Sequence, residues 1–232
     1  MIDASATHLA PATGKSGATR SMQISDHIRG QILRGRLQPG FRLRLEDLRT
    51  EFDVSWSPLR ESLSKLVAEG LIVSEGSRAY YVAPVSRAEL QHLLEIRVAI
   101  ETRALATAID LGDDEWEREL VATHHQLRKL ESMRWQPEQL ETWEHWHERF
   151  HRALVAGCQS ALLQQYCGNL HDLSNRYRRL FLASYSRDRD IGDEHENILK
   201  AALDRDAAQA CRLLEAHIRR TLETILEAMP TP

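Results

Sequence analysis

Residues 54–71 read VSWSPLRESLSKLVAEGL, and this stretch decides the first domain. Ser57 followed by Pro58 reads as a helix N-cap and first position, because proline lacks an N–H that the first turn does not need. Proline also disfavours helical backbone at the residue before it. Leu59, Leu63, Leu66 and Val67 then recur at helical spacing, and Gly70 stops the run. Upstream, residues 45–52 put Leu45, Leu48 and Phe52 on one face of a short helix. Further back, ISDHIRGQILRGR at 24–36 aligns Ile24, Ile28, Ile32 and Leu33, and Gln38-Pro39-Gly40 breaks the pattern. Downstream, residues 71–74 and 80–83 are β-prone runs around a glycine-containing turn. Three short helices and a hairpin describe a winged helix-turn-helix.

Beyond Pro84 the helical period persists to the end of the chain. Helices are expected near 87–111, 113–132, 137–156, 160–184, 192–204 and 206–228. The breaks fall at LGDD, QP, GCQS, RDRDIG and DRD. The fold class is therefore mainly α, an N-terminal winged helix-turn-helix plus a C-terminal all-helical bundle. The expected boundaries are a disordered tail over 1–20, a winged helix-turn-helix domain over 21–85, and an all-helical domain over 86–228.

Composition narrows the function classes. The 232-residue chain is 42% hydrophobic and 28% charged, as soluble globular proteins are. No apolar run is long enough to span a bilayer, and the first twenty residues lack a signal-peptide core. Three widely spaced cysteines, with no CxxC pair, argue against a disulfide framework and for a cytoplasmic protein. Net charge is −4, yet residues 1–44 hold seven basic side chains against two acidic ones. A basic end on an acidic body fits a polyanionic partner.

In a helix-turn-helix the start of the second helix enters the major groove of double-stranded DNA. Ser55 and Ser57 at that start can donate to phosphates, and Arg60, one turn in, can reach a guanine edge or a phosphate. Arg42 and Arg44 precede the motif's first helix and can hold a flanking phosphate. Arg78 in the wing turn can reach the backbone or minor groove. The competing reading is a winged helix that contacts only protein.

Residues 143–154, WEHWHERFHRAL, carry three histidines within seven positions. Trp143, Trp146, Phe150 and Leu154 form the apolar stripe of this helix. His147 and His151, four apart, lie on that stripe, whereas His145 is turned away by about 200°. His195 shares a face with Ile191, Ile198, Leu199 and Ala202, and His217 shares one with Leu213, Leu214 and Leu222. Four inward histidines from three helices can meet in a bundle core, where metal sites are built. Imidazole suits zinc, nickel, copper or iron. A metal-free polar pocket and satisfied core histidines are the alternatives. Arg97 stands beside an apolar face, where arginine needs a partner. That partner is either Glu101 at i+4 or the carboxylate of a ligand. Arg176, on the face of Leu173 and Leu180, is the favoured donor among Arg176, Tyr177, Arg178 and Arg179, the others being expected to meet solvent or the partner domain. His124 and His125 show no partner pattern and are expected at the surface.

The spacing VS.SP.RE.L..L..EGL within residues 54–71 resembles the DNA-binding domain of the GntR regulators. LLEIRVAIETRALATAI, HERFHRALVAGCQS and DEHENILKAALDRDAAQACRLLEAHI resemble the FCD effector domain of the FadR-type branch of that family. The resemblance implies a ligand-responsive transcription regulator, most often a repressor, that binds a palindromic operator as a homodimer. It assigns effector binding and dimerisation to the all-helical domain over 86–228. It implies no enzymatic activity. It also implies a divalent metal ion, zinc or nickel, held by His147, His151, His195 and His217. A small carboxylate effector would contact Arg97 and Arg176. Three departures stand out. Trp56 replaces an arginine that often reads the operator, so Trp56 is a candidate contact to a thymine methyl. Ala79 replaces a wing glycine, and His147 replaces an aspartate ligand. The competing class is a metal-dependent enzyme on a helical bundle with an attached DNA-binding module, but no carboxylate is placed to serve as its acid or base.

Overall fold

A computed structural model describes residues 17–76, 79–133, 139–181 and 191–230, with side chains from Arg20 onward. The sequence-expected tail lies outside them apart from its last four residues, which open the first helix. The chain divides into two units, residues 1–32 with 36–83, and residues 33–35 with 84–232.

The first unit comprises α1 (Gly17–Leu33), β1 (Arg42–Leu43), α2 (Leu45–Phe52), α3 (Trp56–Ala68), β2 (Ile72–Glu75) and β3 (Ala79–Val82). Its core is made by the stripes that the sequence announces: Ile24, Ile28 and Ile32 of α1 with Leu59, Leu63 and Leu66 of α3, all buried. The Arg29 guanidinium grips the Glu69 carboxylate through two nitrogens, Nε to Oε2 at 3.0 Å and Nη2 to Oε1 at 2.6 Å, which clasps α1 to the end of α3. Gly70 takes φ +72°, the left-handed conformation that turns the chain out of α3 into the wing. The strands pair antiparallel in the order β1-β3-β2, with Arg42 opposite Tyr81 and Val73 opposite Tyr81 from the other side.

Two details differ from the sequence reading. The N-cap of α3 is Ser55, and the helix begins at Trp56, so Pro58 sits third rather than first. The first-turn N–H groups have no helical acceptor, so proline is tolerated anywhere in that turn. The strand β1 is the second difference, since two residues are too few to show a period.

The second unit is helical among the described residues: α4 (Arg87–Leu111), α5 (Asp114–Ser132), α6 (Leu140–Ala156), α7 (Ala161–Phe181), α8 (Ile191–Leu203) and α9 (Ala207–Ala228). Ser86 and Asp113 cap α4 and α5 by accepting from Glu89 N and Trp116 N, as their types predict. Helix α4 packs on α7 and α9, α5 on α6 and α8, and α8 on α9. Leu105, Leu120, Leu127, Phe150, Ile198 and Leu214 fill the main core. Gly112 ends α4 beneath the Trp116 indole, where an added Cβ would stand 2.3 Å from the ring. This close approach lets the Trp116 Nε1 donate to the Ala153 carbonyl at 2.8 Å and lock α5 to α6.

Candidate functional site

The first unit gathers basic and hydroxyl groups at one place. Arg42, Arg44, Ser55, Trp56, Ser57 and Arg60 are all exposed. A groove of about 610 Å³ is lined by Arg42, Arg44, Trp56 and Arg60 together with Glu46 and Asp47. The β1 strand and the α2 N-cap that follows it therefore deliver Arg42 and Arg44 to the start of α3. Trp56 is partly covered by the Arg49 guanidinium, 4.9 Å from the ring centre, a neighbour absent from the sequence reading. Arg78 lies outside the described residues.

The second unit brings the four inward histidines together. His147 and His151 come from α6, His195 from α8 and His217 from α9, and all four are buried. One ring nitrogen from each lies within 4.8 Å of the others. Ring centroids are 4.5 Å apart for His147 and His151, 4.8 Å for His195 and His217, and 5.1 Å for His151 and His217. His145, on the far side of α6, is exposed as its angle predicts.

Carboxylates hold two of the rings from behind. His195 Nδ1 donates to Glu131 Oε1 at 3.0 Å, and His217 Nδ1 donates to Glu194 Oε2 at 2.8 Å. A neutral imidazole that donates from Nδ1 keeps its lone pair on Nε2. The Nε2 atoms of His151 and His195 are buried without a hydrogen-bond partner among the described residues. Orphaned ring nitrogens backed by carboxylates are what a bound divalent ion needs, so the residues fit a metal centre. Such an ion would act as a Lewis acid that holds an oxygen ligand. His147 and His151 are held well below the usual histidine range, first by burial and next by a neighbouring cation or imidazole, Arg178 for His147 and His171 for His151. Both are neutral, the form that coordinates.

Two neighbours escaped the sequence reading. His171 of α7 is buried, its ring 5.2 Å from that of His151 and 5.5 Å from that of His147. Neither of its nitrogens has a hydrogen-bond partner among the described residues. Burial and then the charge of Arg97 hold it neutral. Arg178, one heptad on, donates from Nη1 to His147 Nδ1 at 3.2 Å and stacks 5.0 Å above Trp143. Arg178 is expected from the sequence to meet solvent or the partner domain; the structure turns its guanidinium onto His147 and Trp143. The signal available was the heptad spacing of His171, Ser174 and Arg178, which puts all three on one face. His124 was also expected at the surface, but it is buried against Phe150 at 5.5 Å.

Arg97 is buried, as its flanks imply. Its Nε and Nη2 hold Glu101 at 2.7 and 3.2 Å, and its Nη1 donates to Ser174 Oγ at 2.8 Å. Arg176 is buried as well, and burial lowers its pKa, partly opposed by Tyr177. None of the cluster histidines is among the charges that act on it. Glu144, the acid nearest the stripe, is tied to Arg179 at 2.7 Å.

Comparison with known proteins agrees with this architecture. Residues 20–82 match the model of bacterial regulatory proteins of the gntR family, and residues 92–220 match the FCD domain. The chain belongs to the GntR family of bacterial regulatory proteins, in its FCD-domain branch, and is a helix-turn-helix transcription regulator. It is 36% identical over 206 residues to the HTH-type transcriptional repressor GlaR of Escherichia coli K12, covering 87% of this chain and 94% of that one. It is 35% identical over 200 residues to the regulator BphR of Paraburkholderia xenovorans, covering 85% and 82%. Among solved structures, E. coli McbR/YncC shares the fold with a TM-score of 0.74 at 19% identity, covering 90% of this chain and 97% of that one. Among the described residues, no helix is long and apolar enough to cross a membrane.

Proposed function

We propose that this regulator is a ligand-responsive repressor whose helical unit binds a small organic acid on a divalent metal ion, zinc or nickel. The observation that carries the reading is the convergence of His147, His151, His195 and His217, with orphaned Nε2 atoms and carboxylates behind His195 and His217. Buried ring nitrogens such as His151 Nε2 and His195 Nε2, without a partner among the described residues, are costly to fold unless something fills the space they face. Of the two arginines nominated for the effector, Arg97 adjoins the pocket through Ser174. The part given to Arg176 rests on the sequence alone.

A homodimer would set one winged helix on each half of a palindromic operator, read by Arg42, Arg44, Ser55, Trp56, Ser57, Arg60 and Arg78. Effector binding alters repression only through different affinities for the DNA-competent and DNA-incompetent states. The test is elemental analysis of the purified protein beside a His151→Ala/His195→Ala double variant. One zinc or nickel per chain, lost in the variant, supports the reading. Metal content that is unchanged in the variant defeats it.

A further inference from the structure

Three arginines of the helical unit illustrate what a buried guanidinium does when it has a carboxylate and when it lacks one. Arg97 meets Glu101 with its Nε and Nη2, the edge whose two parallel N–H bonds match a carboxylate. Arg179 meets Glu144 at 2.7 Å. Arg178 has the same edge, closed off from solvent, and both its Nε and its Nη2 lack any hydrogen-bond partner among the described residues. No carboxylate lies within ion-pair distance of it there, although Glu144 is near enough to act on it through space. Burial has pushed this guanidinium down to about 10. Unpaired donors at depth are costly, and an anion supplied from outside relieves that cost. His171 sits on the same face, with both ring nitrogens buried and unpartnered, and Arg178 is among the charges that act on it.

The third nitrogen of Arg178 has a separate consequence. Its Nη1 faces His147 Nδ1 at 3.2 Å. A guanidinium only donates, so Nδ1 must be the acceptor and the ring proton of neutral His147 lies on Nε2. Coordination through Nδ1 needs the lone pair that Arg178 already uses. Coordination through Nε2 needs the proton moved to Nδ1, where it would face the Arg178 donor. While Arg178 holds it, His147 cannot be a metal ligand from either nitrogen. His195 and His217 are in the opposite state, each donating from Nδ1 to a glutamate.

We propose that Arg178 divides the pocket in two: it keeps His147 out of coordination, leaving His151, His195 and His217 as the metal ligands, and its Nε/Nη2 edge is the seat of the effector's carboxylate. This rests on the metal-and-acid reading above and refines both halves of it. His147 becomes a hydrogen-bond donor from Nε2, and His171 supplies a second neutral donor beside the seat. Arg97, already paired with Glu101, is a structural ion pair.

The test uses cobalt(II) as the metal probe, followed by its visible absorption, and acetate and succinate as the anions, followed by calorimetry on the full chain. His147→Ala is expected to bind one cobalt per chain with unchanged affinity; loss of cobalt in that variant makes His147 a ligand and overturns the proposal. Arg178→Met is expected to keep cobalt but to weaken succinate and acetate at least about tenfold, the loss expected for a charged hydrogen-bonded pair. Arg178→Lys keeps the charge and the packing but lacks the parallel N–H pair, so it should weaken both anions too, and it guards against a folding defect in the methionine variant. Wild-type anion affinity in both Arg178 variants overturns the seat, as does failure of both anions to bind the unaltered protein. If the unaltered protein takes up no cobalt, the metal reading itself fails and the three-ligand set falls with it. Anion binding to the Arg178 variants still decides the seat in that case.

Discussion

The two units of this chain place their polar groups in opposite ways. The reading face of the winged helix keeps Arg42, Arg44, Ser55, Ser57 and Arg60 at the surface, over a core of aliphatic side chains in which the only buried polar groups among the described residues are the serines Ser21, Ser25 and Ser62. The helical unit buries six histidines, His124, His147, His151, His171, His195 and His217, and the Arg97–Glu101 pair among aliphatic and aromatic side chains. A face that meets a phosphate backbone needs only charge and reach, because water solvates it until the partner arrives. A pocket that takes a small ion must hold its donors in place, at a cost in folding stability. The lesson is that the two units carry different physical traces: exposed cations on one, buried ring nitrogens without partners among the described residues on the other.

Four experiments would break or sharpen that contrast, in order of expected effect. First, the stability of the metal-free protein should depend on pH through the pocket. His147, His151 and His171 stay neutral when folded but charge in the unfolded chain below about pH 6.5. The unfolded chain then binds more protons, so stability is full above that pH and falls as pH drops. The slope should approach about 1.4 kcal/mol per pH unit for each histidine, or about 4 for the three. Urea unfolding between about pH 7.5 and 5.5 measures it, and a flat profile would show that the buried histidines carry no cost.

Second, Glu131→Ala removes the acceptor behind His195 and should lower cobalt affinity about 10- to 100-fold, while leaving operator binding by the metal-free protein untouched. Third, Arg60→Ala should weaken operator binding by about 1–3 kcal/mol and flatten its salt dependence without changing cobalt affinity. Operator titrations at two salt concentrations measure both quantities. Fourth, Ser55→Ala should shift the thermal midpoint by less than the counterpart Ser86→Ala. Ser55 occupies an N-cap without a side-chain cap bond, whereas Ser86 accepts from Glu89 N at 3.1 Å, a bond worth about 1 kcal/mol. Equal losses would mean that the two units rely on capping alike.

Much of this was legible in the sequence, for identifiable reasons. The bounds of α4, α5 and α9 follow from caps and breakers whose chemistry is local, such as Ser86, Asp113 and Asp206. The inward set His147, His151, His195 and His217 is readable because each shares a helical stripe with leucine, isoleucine or phenylalanine. Arg178 was misassigned for the same reason. Its neighbours on the α7 face are His171 and Ser174, so a stripe that is polar but buried looks like a stripe that faces water. Arg176 has leucine neighbours and is buried, and the neighbour that acts on its charge is Tyr177. The Arg49–Trp56 stack and the β1–β3 pairing are meetings of distant residues, which no local pattern announces.

Trp143 deserves a last consideration as a reporter. Its ring stacks on His147 at 4.6 Å, lies beneath the Arg178 guanidinium at 5.0 Å, and donates through Nε1 to the same Glu131 oxygen that holds His195. Indole emission is quenched by adjacent imidazole and cation and shifts with the field around the ring. Filling the pocket, or drawing Arg178 toward an anion, must therefore alter the light that Trp143 emits. Trp56 stands exposed at the mouth of the reading helix, on the other unit. Of the five tryptophans of the chain, Trp143 thus reports on the histidine pocket and Trp56 on the reading helix, and the difference between the emission of the unaltered protein and that of its Trp143→Phe or Trp56→Phe variant isolates each signal without a label.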